Sequence, residues 1–283
     1  TANVLGKDKL SSNARVQFVR DLMADMPTIK NANAITQVFA GTEKTKQQGL
    51  VAFTELKRLV EFLDTGADVT EFETDLVCHI DGTCNGLQHM AAITKDRATA
   101  QAVNCTASTR DEEPTDIYGL VADKAAELTQ NQVKTNELIK EFGRSMAKNP
   151  VMITGYGAGE ETVCVNTMEY LKEKKGSHAY GREIGGKYVE AIGEVASAVY
   201  NLTNVIKINV KMALELGQRS FNWTAYDGFQ AQTEYNDIEG NRVRAGQFNS
   251  VANLGNEQFD EVKTVGAMSP NFVHSIDSCH ARE

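Results

Sequence analysis

Apolar residues recur at helical spacing over most of this chain and switch to strict alternation in one short region. In residues 13–26, Val16, Phe18, Val19, Leu22 and Met23 fall on one side of a 3.6-residue period, which predicts an amphipathic helix. Residues 31–49 are polar and predict partly irregular backbone. Residues 50–63 predict a second helix, with a broad apolar face made by Val51, Phe53, Leu56, Leu59, Val60 and Leu63. An acidic connection follows over residues 65–73. Leu76-Val-Cys-His-Ile80 has strand character and leads into Asp81, a glycine-kinked turn and a helix over residues 87–95. Pro114-Thr-Asp-Ile-Tyr118 opens a long helix with the buried stripe Ile117, Leu120, Val121, Ala125 and Leu128. Helical blocks are also expected over residues 141–154 and 184–216, the second broken near residues 201–204.

The period changes at residues 220–235. Two alternating runs flank Asp227-Gly228, which predicts a β-hairpin. Residues 241–266 are polar, with one Val-Arg stretch suited to another strand. Ser269-Pro-Asn-Phe-Val-His-Ser-Ile-Asp277 predicts a helix with Ser269 at the N-cap and Pro270 in the first turn. The fold class expected is α+β, mostly α-helical, with a small antiparallel component.

Composition narrows the function classes. The 283 residues are 41% hydrophobic and 24% charged, with 4 prolines, as in an ordinary globular protein large enough for one big domain or two intimate ones. No membrane span or signal peptide is visible. Five scattered cysteines (Cys78, Cys84, Cys105, Cys164, Cys279) form no Cys-x-x-Cys pair, so neither a zinc site nor a disulfide framework is expected, and a reducing cytoplasm is the simplest location. The net charge of −9 argues against a nonspecific nucleic-acid coat, though not against an enzyme with a local basic channel. Thr1 without a methionine, and an end at Glu283 just after a motif-like run, predict that both ends are cut.

Two constellations carry chemistry. In Asp81-Gly-Thr-Cys-Asn-Gly-Leu-Gln-His89, a carboxylate at a strand end flanked by Gly82 and Gly86 suits a hard divalent cation and a close-fitting polyanion. The same Asp-Gly dipeptide also makes plain turns. Further along, Arg144, Lys148, Met152 and Tyr156 recur every fourth residue, along one stripe of a helix that Gly155, Gly157 and Gly159 would end. Two cations on such a face can neutralise a triphosphate, and a tyrosine at the helix end can close over a base or sugar. The alternative is a solvated face with Met152 and Tyr156 turned to a core. Pro150 predicts a kink.

Together with Ser269-Pro-Asn-Phe-Val-His-Ser-Ile-Asp277-x-x-His280, these stretches resemble the single-subunit, bacteriophage-type RNA polymerases, a family that includes the mitochondrial enzymes. The first stretch is similar to the family's first palm motif. Arg144-x-x-x-Lys148, Val151-Met152 and Tyr156-Gly157 are similar to its fingers helix, and the last segment to the return into the palm. Gly6-Lys-Asp-Lys9, Asp116-Ile-Tyr118-Gly119 and Asp227-Gly228-Phe229 match more weakly, in the family's order.

The resemblance implies a right-hand-shaped polymerase, with residues 1–113 the first part of the palm, 114–273 the fingers and 274–283 the start of the return. It implies ribonucleotide transfer to an RNA 3′-OH by a two-Mg²⁺ mechanism, with Asp81 and the Gly82 carbonyl as metal ligands. Arg144 and Lys148 would grip the incoming triphosphate, Lys148 as candidate proton donor to pyrophosphate. Met152 would lie on the same nucleotide-binding stripe. Tyr156 would help choose ribose over deoxyribose, His274 would lie near the nascent pair or the ribose, and Tyr118 would border the site. Asp277 and His280 are expected to pack or hydrogen-bond. The implied partners are a DNA template, nascent RNA and ribonucleoside triphosphates.

The family's second metal-binding aspartate follows the last matched segment and is absent here. The chain is therefore expected to be a fragment inactive alone, or a complementing, noncatalytic subunit of a split polymerase that binds nucleic acid. A Pol I-type DNA polymerase shares the fingers pattern but places a glutamate where this chain has Gly86, which leaves room for a ribose.

Overall fold

The computed structural model describes residues 1–25, 46–77, 81–245 and 248–282, and leaves the side chains of 46–47 and 238–257 undescribed. The chain divides into two compact units: Thr1–Asp81 with Ala107–Thr115, and Gly82–Thr106 with Asp116–Glu283.

The first unit is built on α1 (Ser12–Asp25) and α2 (Lys46–Asp64). Leu22, Ala52 and Leu56 form its core, with Phe18, Val19, Met23, Phe53 and Leu59 packed around them. Val16 and Val51, expected on the apolar faces, are exposed. The acidic connection contains a 3₁₀ turn at Val69–Glu71, capped by the Asp68 carboxylate accepting from Thr70 N–H. The strand expected before Asp81 does not include Leu76 or Val77, and residues 78–80 lie outside the described residues, as do 26–45.

That segment is anchored instead by one buried carboxylate. Glu55 on α2 accepts hydrogen bonds from Thr74 Oγ1 (2.5 Å), Asp75 N–H (3.1 Å) and Arg58 Nη1 (2.7 Å). Burial raises the Glu55 pKa, but these donors outweigh it and hold the group below its ordinary value.

The second unit is helical: α3 (Asn85–Thr94), α4 (Arg97–Ala102), α5 (Ile117–Leu128), α6 (Val133–Gly155), α7 (Glu160–Lys175), α8 (Gly181–Val195), α9 (Ser197–Glu215) and the final α10 (Glu261–Arg282). Two antiparallel hairpins complete it, β1 (Phe221–Thr224) with β2 (Gln230–Thr233), and β3 (Asn236–Ala245) with β4 (Phe248–Phe259). The mostly α, α+β class read from the sequence holds. Leu87, Met90, Ile117, Ile139, Ile184 and Tyr188 are among the fully buried side chains of its core.

Several boundaries differ from the periodicity. In α5, Tyr118 and Ala122 are buried while Leu120 is 42% exposed, so the stripe is rotated from the one expected. The break in α6 falls at Gly143 (φ 44°, ψ −127°) rather than at Pro150. Glycine reaches that backbone region without a Cβ clash, whereas the fixed φ of proline is compatible with a helix. The α8–α9 break lies at Ala196 (φ −128°, ψ 51°), before the expected site. α10 begins earlier than expected because Asp260 Oδ1 accepts from Lys263 N–H (2.8 Å). Ser269, expected as the cap, is buried inside α10.

α7 was not legible in the apolar pattern, since its buried face is only Val163, Cys164, Thr167 and Leu171. Glu160 and Glu161 at its start and Lys172, Lys174 and Lys175 at its end complement the helix dipole. α8 crosses it closely: a Cβ on Gly185 would stand 2.6 Å from Cys164 Cα, and one on Gly181 2.7 Å from Met168 Cα.

Candidate functional site

α3 opens at a left-handed residue, Cys84 (φ 62°, ψ 76°), and carries Asn85, Gly86 and His89 on its first turns. Gly86 is buried against the end of α6. A Cβ there would stand 3.0 Å from the Gly155 carbonyl oxygen and 3.3 Å from the Tyr156 ring. The space beside Gly86 is therefore occupied by the Gly155 backbone and the Tyr156 ring, and the close approach of α3 to α6 leaves a tight fit for any larger residue there.

Tyr156 caps α6, and its ring stacks on that of His274 from α10, with centroids 4.7 Å apart and planes at 15°. Burial raises the Tyr156 pKa, helped by the nearby Cys84 and Asp277, so its hydroxyl remains a neutral donor at working pH. Asp277, three residues after His274, lies 3.1 Å from His89 Nε2 and accepts from Asn85 Nδ2 (3.3 Å). The His280 ring meets His89 edge to face at 6.2 Å. Asp277 and His280 thus join α10 to α3, which is the packing and hydrogen-bonding role expected of them.

Arg144 and Tyr118 form a second group. Arg144 Nε donates to Asp116 Oδ2 (2.6 Å), and its guanidinium lies 5.1 Å from the Tyr118 ring centroid. Tyr118 is buried, and its hydroxyl meets the Cys84 thiol, whose pKa is raised chiefly by burial. Lys148 and Met152 are exposed on the same helix, and Lys148 makes no ion pair among the described residues. Asp81 is exposed and ends the first unit, while Gly82 begins the second.

The structure therefore brings together Tyr156, His274 and Gly86, and separately Arg144 and Tyr118. The sequence reading missed Asp116 as the partner of Arg144, and Asn85 and His89 as partners of Asp277. The four-residue spacing of Asn85 and His89 was the available signal. Among the described residues no group of three or more His, Cys, Asp or Glu side chains could hold a metal ion. One exposed carboxylate beside a backbone carbonyl suits Mg²⁺, which keeps waters and shares substrate phosphates, better than it suits zinc. No described helix is long and apolar enough to cross a membrane.

Known proteins resemble this chain along almost all its length. It is 26% identical over 302 residues to the DNA-directed RNA polymerase of Pseudomonas phage phiKMV, covering 99% of this chain and 36% of the phage protein. It is 25% identical over 308 residues to a probable DNA-directed RNA polymerase of Podospora anserina (96% and 31%). It is 24% identical over 293 residues to the chloroplastic/mitochondrial DNA-directed RNA polymerase 2 of Nicotiana sylvestris (97% and 28%). The chain thus spans about a third of the length of these relatives. A model of the DNA-dependent RNA polymerase family matches residues 1–282, and the chain belongs to that family, in its single-subunit, phage and organellar form.

Proposed function

We propose that this chain supplies part of the nucleotide-adding site of a DNA-directed RNA polymerase, which extends an RNA 3′-OH with ribonucleotides chosen by a DNA template. The observation that carries the reading is the Tyr156–His274 stack seated against Gly86. A neutral phenol and an imidazole share one platform there, beside a helix bearing Arg144 and Lys148.

In this reading the Tyr156 hydroxyl meets the ribose of the incoming nucleotide, and the glycine keeps that ring where a larger residue would displace it. Lys148, exposed and in no ion pair among the described residues, neutralises the triphosphate and gives a proton to departing pyrophosphate. Arg144 grips phosphate by exchanging its Asp116 partner for the ligand, and Met152 and Tyr118 border the nucleotide. Asp81 and the Gly82 carbonyl hold Mg²⁺, which supplies charge neutralisation at the reacting oxygens when bound. A further carboxylate comes from the remainder of such a polymerase or from a complementing subunit. Residues 1–113 belong to the palm, 114–273 to the fingers and 274–283 to the return.

The test is primer extension by a polymerase carrying this chain. Asp81→Ala removes the metal ligand and is expected to cut ribonucleotide addition at least about a thousand-fold, several kcal/mol of barrier. Template binding, measured by fluorescence anisotropy, persists. Retention of more than about a hundredth of the unmutated rate sinks the metal assignment.

A further inference from the structure

α10 places His274 against Tyr156, and its backbone ladder is interrupted at that level. Pro270, one turn before the histidine, has no N–H for the Gly266 carbonyl. Ser275, the next residue after it, turns its hydroxyl back to donate to the Phe272 carbonyl (2.7 Å), a bond that competes with the ladder. A helix with both features bends more easily than an uninterrupted one, so a ring held at residue 274 needs an outside brace.

The first hairpin supplies that brace. Thr264, Asn271, Ser275, Cys279 and Arg282 follow one another on α10 at helical spacing and form one narrow stripe. Each meets the hairpin or its exit. Thr264 Oγ1 accepts from Tyr235 N–H (3.2 Å), and Asn271 Nδ2 donates to Thr233 Oγ1 (2.9 Å) and Tyr235 Oη (3.2 Å). Cys279 and Arg282 both reach Asp227 in the turn. Level with His274, Trp223 Nε1 donates to Ser275 Oγ (2.9 Å), and the indole meets the Phe272 ring edge to face at 6.2 Å. Ser275 is buried, so its hydroxyl donates to one fixed partner and accepts from another.

We propose that Trp223 is a positioning residue: through Ser275 it fixes the rotation of α10, and so the stacking of His274 on Tyr156, where the ribose is chosen. The sugar-choosing consequence rests on the polymerase reading of that platform; the hold on the stack does not. His274 stands about 100° round the helix from Ser275, with its ring roughly 6 Å from the axis. A roll of about 20° carries such a ring about 2 Å. That displacement breaks a stack whose centroids are 4.7 Å apart. An indole suits the place because it brings a donor and a broad apolar face together.

The experiment takes two readouts on the same variants. The first is the NMR shift of the His274 ring in the full chain with isotope-labelled histidine, whose five histidines give few signals, assigned with His274→Gln. Stacking on Tyr156 shields the ring, and Tyr156→Leu marks the unstacked position. Ser275→Ala keeps every aromatic ring and removes only the acceptor. It is expected to move the signal at least halfway to the unstacked position. The second readout is the ratio of kcat/KM for ribo- against deoxyribonucleoside triphosphates, in a polymerase carrying this chain. Ser275→Ala and Trp223→Phe are each expected to lower it about three-fold, short of the ten-fold or so for loss of a whole hydrogen bond to the sugar. The double variant falls no further than either alone, since one bond joins the two residues.

A merely structural bond would lower the melting temperature of Ser275→Ala and leave shift and ratio as they were, and that result overturns the proposal. Asn222→Ala, on the exposed face of β1, is the control, and a change there equal to that of Ser275→Ala also overturns it. Tyr156→Phe separates the two readings. If it lowers the ratio while Ser275→Ala does not, the positioning role fails alone. If it leaves the ratio unchanged while Ser275→Ala moves the His274 signal, the sugar-choosing reading fails and the hold of Trp223 on the stack stands.

Discussion

Tyr156 and His274 come from segments more than a hundred residues apart, yet their rings lie parallel at 4.7 Å. Each was legible alone, the tyrosine from a four-residue stripe and the histidine from its motif. The stack was not, because only tertiary packing of α6 on α10 creates it. Gly86 illustrates the same limit. Sequence reasoning gave it the job of leaving room, whereas the structure fills that room with the Gly155 backbone and the Tyr156 ring. Asp116 was missed because an N-terminal helix residue reads as a cap, and its side chain is spent on Arg144 instead.

Asp227, at the turn of the first hairpin, carries a pH-dependent contribution. A hydrogen bond from the Cys279 thiol is the largest influence; burial, the next, opposes it, and the Phe229 N–H and the Arg282 guanidinium add to the lowering, which together holds its pKa down to about 2. In the unfolded chain it titrates near 3.8. The folded form therefore binds its proton less readily, so this stability is complete above about pH 4 and is lost as pH falls toward 2. Asp227→Asn should flatten the acid limb of a thermal-melt series in that window. An acid limb unchanged by the substitution would remove Asp227 as its source.

At the scale of elements, the α7–α8 contact depends on glycine in a way that apolar periodicity does not register. Gly181 and Gly185 sit four residues apart on α8, facing Cys164 and Met168, also four apart, on α7. The missing side chains let one backbone enter the groove of the other. Gly185→Ala places a methyl 2.6 Å from a backbone carbon, which rotamer change cannot relieve. The expected cost is about 1–3 kcal/mol of stability, read as a lowered urea midpoint with an unchanged slope. A midpoint within error of the unmutated chain would mean that the two helices separate freely.

The same scale explains which elements were readable. α2 and the first hairpin announce themselves by long or strictly alternating apolar patterns. α7 buries one narrow stripe and is otherwise charged, so its pattern is too weak to read. The start of α10 was hidden because its cap, Asp260, follows a polar stretch with no apolar period.

For the whole molecule, family membership rests on a match along residues 1–282, and it accords with motifs readable in the sequence at residues 81–89, 144–157 and 269–280. Those motifs carry the side chains proposed above for the reaction. They contain Asn85, His89 and Asp277 but not the contacts that join Asp277 to Asn85 and His89, and Asp116, the partner of Arg144, lies outside them. A site assembled from distant segments writes its chemistry locally and its geometry nonlocally.

The most direct test is the ratio of kcat/KM for ribo- against deoxyribonucleoside triphosphates, in a polymerase carrying this chain, with and without Tyr156→Phe. The substitution keeps the ring stacked on His274 and removes only the hydroxyl. If Tyr156 meets the ribose, the preference for ribonucleotides should fall about ten-fold, the worth of one hydrogen bond, while synthesis continues. An unchanged ratio with full activity would contradict the account and move sugar selection away from the Tyr156–His274 platform.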